Sequence, residues 1–223
     1  YMYAGMAARG AAIMTTDGAQ LLHYVTDGAM AEDVWLSEAE ATELRKFANL
    51  TEYTIVQPWI HFRTATAIVV SFHLQDSVKF PFDGIQKLVD SAIHADEGDI
   101  VGTLPEALRK AVSRAAAFSE EVSSAPDREV VELTIATDHV VIHAERLSGK
   151  YTEKIPLEGT ALTLPEPITV LIDARILQAA LQRSRSFRVK MRTLKEGEET
   201  REPYQLVFCS DPFTHVVALM KRT

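Results

Sequence analysis

The chain has 223 residues, 47% of them hydrophobic, enough to bury one large core or two of about 100 residues each, and two domains are expected. Charged residues make up 24%, and no apolar run approaches the roughly 18 to 20 residues of a membrane span, so a membrane-spanning helix is excluded. The formal charge of −8 excludes a uniformly basic nucleic-acid surface, because phosphate contacts come from Lys and Arg, and the distribution of charge must decide instead.

Tyr1, with no initiator Met, runs straight into the strand-like Tyr1-Met2-Tyr3, from which a longer native chain is expected. Residues 12–16 and 21–25 are predicted as strands joined by the turn dipeptide Asp17-Gly18. Ser37 with Glu40 three residues on forms a capping box, which predicts a helix over 37–49 with Leu44 and Phe47 on its apolar side. Strands follow at 53–56, 60–62 and 67–72. The polar, acidic, glycine-punctuated stretch 95–103 reads as a linker. A helix is predicted over 104–118, with Leu104, Ala107, Leu108, Ala111, Val112 and Ala115 on one face. Strands are predicted at 130–135 and 140–144 around a turn at Thr137-Asp138-His139, then at 151–157 and 169–172. Asp173 caps a second helix over 174–185, and strands at 187–192, 204–208 and 215–219 close the chain.

The fold class is α+β: one supersecondary unit occurs twice, the first copy lacking its opening helix. The missing helix and the missing Met point to the same truncation, and the expected division is 1–97 and 98–223.

Chemistry is sparse. Cys209 is the single cysteine and no secretory leader is visible, so a reducing, cytoplasmic setting is expected and Asn49-Leu50-Thr51 is read as a chance sequon. Of seven histidines, only His139 and His143 have a metal-like spacing, but on a strand that spacing spans about 13 Å. No P-loop, dinucleotide fingerprint, nucleophile elbow or His-Glu-x-x-His occurs, so no catalytic residue, metal or cofactor is assigned. The cations are more informative. The helix from 104 collects Arg109, Lys110, Ser113 and Arg114 on its polar face against Glu106, and the helix from 174 carries Arg175, Gln178, Gln182, Arg183 and Arg185 with no acid. Two readings stay open, a solvated surface of snorkelling arginines or a face turned to phosphate.

Several stretches resemble the beta subunit of bacterial DNA polymerase III, the replicative sliding clamp. In the second half these are residues 107–119, Ile172-Asp173-Ala174-Arg175-Ile176-Leu177 and the tail 215–222, which are similar to that family's C-terminal domain. In the first half, residues 15–21 and Phe80-Pro81 are similar to its middle domain. The resemblance implies a clamp fold, with repeated units whose helices line a ring and whose sheets lie outside. It implies a non-catalytic, nucleoid-associated homo-oligomeric ring that encircles duplex DNA of any sequence and holds polymerase and clamp loader through short peptides. The DNA-facing cations would be Arg45, Lys46, Arg109, Lys110, Arg114, Arg175 and Arg183. A peptide groove between the domains would use Thr16, Gly18, Leu21, Pro81 and Ile85 from the first half. Asp173, Ile176, Pro203, Val216, Ala218 and Met220 would come from the second, with plain core residues as the competing reading for Leu21, Ile176 and Val216. The chain departs from the family with Ala19-Gln20 in place of His-Arg and Ala218-Leu219 in place of Met-Pro, changes that bear on partner specificity. A clamp-like or unrelated enzyme, or an oligomerising scaffold with no DNA role, is the alternative.

Overall fold

The computed structural model describes residues 4–119, 130–146, 149–157, 159, 162, 164, 166–193 and 201–220, and the chain divides into two units, Tyr1–Asp90 and Ser91–Thr223. The expected strand at Tyr1-Met2-Tyr3 and the tail residues Lys221 and Arg222 lie outside the described residues.

The first unit opens with an antiparallel hairpin, β1 (Gly5–Thr16) and β2 (Gln20–Ser37), in register from Thr16 opposite Leu21 to Gly5 opposite Ser37. Asp17 makes the turn: its carboxylate accepts from the amides of Ala19 and Gln20, both at 2.9 Å, while Gly18 takes the left-handed φ of +84° that glycine adopts without penalty. Both strands run longer than the alternating pattern predicts. Register shifts on either side of Gly10 break the period-2 signal, which is why the sequence reading ended the second strand at Val25.

β2 passes directly into α1 (Glu38–Leu44) through the predicted box: Ser37 Oγ accepts from the Glu40 amide at 3.3 Å and the Glu40 carboxylate accepts from the Ser37 amide at 2.9 Å. The helix ends five residues before the expected 49, at Leu44, because Arg45 closes it and Asn49 reverses the chain at φ +56°. A three-stranded antiparallel meander follows, β3 (Leu50–Val56), β4 (Trp59–Thr64) and β5 (Val69–His73). The hairpin, α1 and the meander share a core of Ala8, Val34, Leu36, Leu44, Ile60, Phe62, Phe72 and Leu74.

The sequence reading missed α2 (Phe82–Ile93), whose Phe82, Ile85, Val89 and Ala92 are buried at helical spacing. The expected linker 95–103 is a correction too. It contains β6 (Ile100–Thr103), hydrogen-bonded along β11 (Ser186–Thr193), and two of its three acids are anchored rather than loose. Asp96 and Asp99 ion-pair at 2.5 and 3.0 Å with Lys190, whose side chain is fully buried on β11. Arg188, also on β11, donates to the carbonyls of Ala92 and Ile93 at 2.7 and 2.5 Å, placing a cation on the negative end of α2.

In the second unit α3 (Leu108–Ser119) starts four residues later than expected, since the Leu104 amide bonds the Arg185 carbonyl in extended chain and Pro105 opens the turn before the helix. Ala107 is accordingly exposed rather than part of the apolar face. β7 (Val130–Ile135), β8 (His139–Arg146), β9 (Gly149–Pro156) and β10 (Ile168–Asp173) make a sheet of order β10-β7-β8-β9. Asp173 then caps α4 (Ala174–Leu181), which ends at Gln182 instead of 185. β12 (Arg201–Ser210) and β13 (Phe213–Ala218) complete the order β6-β11-β12-β13. Both helices and both sheets close on one core, including Leu108, Val112, Leu133, Ile142, Ile172, Leu177, Phe187 and Phe208. The repeat is visible in the fold: strand, capping side chain, short helix and three-stranded meander occur from β2 to β5 and again from β10 to β13.

Candidate functional site

α3 and α4 lie side by side. Each buries its small and aliphatic residues, Leu108, Ala111, Val112 and Ala115 on α3 and Leu177, Ala180 and Leu181 on α4, which leaves the polar positions outward. Gln178 Nε2 donates to Ser113 Oγ at 2.7 Å and joins the two polar faces. The outward cations of both helices therefore belong to one surface.

Their electrostatics differ from residue to residue. Arg114 is bidentate to Glu153 on β9, with Nη2 at 2.8 and 2.6 Å from the two carboxylate oxygens, and its Nε donates to Tyr151 Oη at 2.9 Å. Tyr151 also donates to Glu153. Arg114 above all, with Tyr151, holds the Glu153 carboxyl below its ordinary range. Arg175 lies 3.5 Å from Asp173, and Arg185 lies 3.9 Å from Glu106. Arg183 donates to the Ala179 carbonyl and sits 5.2 Å over the Phe213 ring. Arg109 and Lys110 are exposed and make no ion pair among the described residues. In the first unit Arg45 and Lys46 follow a helix rich in acids, with Glu38, Glu40 and Glu43, and Lys46 pairs with Glu43 at 2.6 Å.

Of the second-unit residues expected at a peptide groove, Asp173, Ile176 and Met220 come together at the junction of β10 and α4, while Pro203 lies on β12 and Val216 and Ala218 on β13. The Met220 amide donates to the Leu171 carbonyl at 3.0 Å, which holds the tail against β10 just before Asp173. Asp173 is buried, and its Oδ1 accepts from the amides of Arg175 and Ile176, so its first duty is to cap the helix. Ile176 is half-buried on the core, Val216 is buried, Ala218 is exposed, and Pro203 pairs opposite Met191 on β11. In the first unit Thr16 closes the Asp-Gly turn by donating to the Gln20 carbonyl at 2.8 Å, Leu21 and Ile85 are buried, and Gly18 and Pro81 are exposed.

Sequence reasoning missed a cavity of about 430 Å³ in the first unit, lined by Pro81 together with Arg9, Asp33, Val78, Phe80 and Asp83. Arg9 lies over the Phe82 ring at 4.2 Å and pairs with Asp33 and Asp83 at 2.7 and 2.6 Å, so the cavity's cation is already balanced. Nothing in the local sequence signals it, because Arg9 and Asp83 are 74 positions apart. His139 and His143 bond separately, to Asp138 at 2.5 Å and Thr152 at 2.8 Å. No group of three or more His, Cys, Asp or Glu among the described residues is arranged to hold a metal ion. No helix among them is long and apolar enough to cross a membrane.

No protein-family model and no curated protein matches the chain. Solved structures do. The DNA polymerase sliding clamp from Pseudomonas aeruginosa superposes with a TM-score of 0.69 at 17% identity, over 98% of this chain and 58% of that one. The beta sliding clamp of C. crescentus gives 0.73 at 17% identity, over 100% and 59%. The beta subunit from the DNA polymerase of Streptococcus pyogenes gives 0.70 at 16%, over 99% and 58%. The chain thus spans a little under three-fifths of the length of the clamps it matches, and at these identities what is shared is the fold.

Proposed function

We propose that this chain, folded as the bacterial sliding clamps are, is a divergent clamp: a non-catalytic tether that surrounds duplex DNA of any sequence and holds polymerase and clamp-loader proteins to it. Residues 1–97 would serve as a clamp middle domain and 98–223 as the C-terminal domain. The observation that carries the reading is the joined α3–α4 surface, where Arg109, Lys110 and Arg183 stand free of acidic partners among the described residues of a chain with net charge −8. Weak, screened attraction to phosphate suits a protein that slides, because it holds register with no base. The β10–α4 junction, with Ile176 and Met220 beside the Asp173 cap, supports a peptide site for apolar anchors on the second unit.

The test is fluorescence anisotropy of the chain with two duplexes of unrelated sequence at rising salt. Equal affinities that fall with salt, and their loss in Arg109→Glu/Lys110→Glu, are the expected result. Sequence preference, or unchanged binding in the double variant, would overturn the reading.

A further inference from the structure

A face meant to hold phosphate has, in this chain, an acid built into it. Arg114 lies on the same side of α3 as Lys110, one turn on, where a third phosphate contact would form. Yet its Nη2 meets both oxygens of Glu153 at 2.8 and 2.6 Å, and its Nε is shared between Glu153 Oε2 at 3.2 Å and Tyr151 Oη at 2.9 Å. A bidentate guanidinium–carboxylate pair is the strongest and most directional form of this contact. Glu153 is also partly sheltered, its side chain one-third exposed (32%), and Tyr151 donates to it from the same strand. An arginine neutralised in this way has no bound counterion to exchange for a phosphate.

We infer that Glu153, steadied by Tyr151, is an intramolecular decoy that occupies Arg114 and limits the grip of the α3–α4 face on duplex phosphate. The inference rests on the DNA reading above and adds a residue that sets the strength of that contact. Glu153 comes from β9, 39 positions from Arg114, so the latch is a product of the fold of the second unit and not of helix composition. The same device recurs more weakly along the face, at Arg175 with Asp173 and at Arg185 with Glu106.

The experiment measures association of Glu153→Gln with a fluorescent 20-base-pair duplex between 50 and 200 mM salt, with Glu166→Gln as a control that removes one exposed acid away from the pair. Release of one cation should steepen the log–log salt slope by about 0.9 and tighten binding several-fold at the low-salt end. The gain should vanish in Glu153→Gln/Arg114→Gln. Glu153→Ala is a second route to the same state, and an unchanged melting curve certifies the fold of each variant. If the parent shows no salt-dependent association and Arg109→Gln/Lys110→Gln equals it, the DNA reading itself falls, and this inference with it. If the parent binds and that variant binds less, while Glu153→Gln gains no more than Glu166→Gln, the DNA reading stands and the decoy is overturned.

Discussion

Lys190 shows how a single residue can fix a long segment. Its ammonium is fully buried, with Asp96, Asp99 and the His94 carbonyl as partners, and the Asp99 side chain is 1% exposed. Burial alone would depress the Lys190 pKa, but the two carboxylates outweigh it and raise it, while Lys190 holds Asp96 below its ordinary 3.8. The cluster's contribution is therefore complete between the two unfolded-state values. It is lost as pH falls below about 4 through the depressed carboxylate value, and lost again above about 10.5 as pH rises through the elevated lysine value. Replacing Lys190 by Met leaves Asp99 buried without its cation, at a cost of about 3–5 kcal/mol. Denaturant unfolding from pH 3 to 11 checks both parts: the variant should be destabilised by that order near neutrality, with flatter acidic and alkaline flanks than the parent. Equal stability at pH 7 would show that water reaches the pair. The sequence could not reveal this residue. Lys190 alternates with Val189 and Met191 as an outward strand position would, and the acids that cover it lie 94 and 91 positions earlier.

At the scale of elements, what was legible is what is local. The Ser37–Glu40 box, the Asp173 cap and the Asp17-Gly18 turn all operate within three residues, and each stands where the sequence put it. α2 was also legible in principle. Pro81 precedes it, Asp83 lies in its first turn, and its buried residues fall at helical spacing, but Gly84, a poor helix former, sits in that first turn and no element is assigned to the segment from sequence. β6 was lost in an acidic stretch whose charges looked solvated. For the candidate site, the cations of α3 and α4 could be read from composition, whereas the acids that pair with Arg114 and Arg185 come from distant positions and could not. The two caps also allow a comparison. Ser37→Ala should cost about 1 kcal/mol, since it unbinds one amide at a half-buried helix start. Asp173→Ala should cost more, because the buried Asp173 accepts from two amides and pairs with Arg175. Paired thermal melts of the two variants decide the order, and a reversed order would mean that the α4 start finds other acceptors.

Across the whole molecule, the net charge of −8 and a phosphate-facing surface are compatible only if cations are concentrated and partly cancelled. Of the seven cations the sequence assigned to DNA, Lys46, Arg114 and Arg175 have acidic partners, and Arg45 follows an acidic helix. Arg109, Lys110 and Arg183 remain on the joined helix face, with Arg183 lying over Phe213. Each phosphate neutralised releases about 0.9 of a counterion, so three such cations predict a log–log salt slope of about −2 to −3 per chain. That is a shallow dependence, suited to holding a duplex without arresting motion along it. Titration of the chain against a mixed-sequence duplex at five salt concentrations gives the slope directly. A value steeper than about −5 would mean that the ion pairs open on binding and the paired arginines must be counted as contacts. A value near zero would mean that the face meets no phosphate at all.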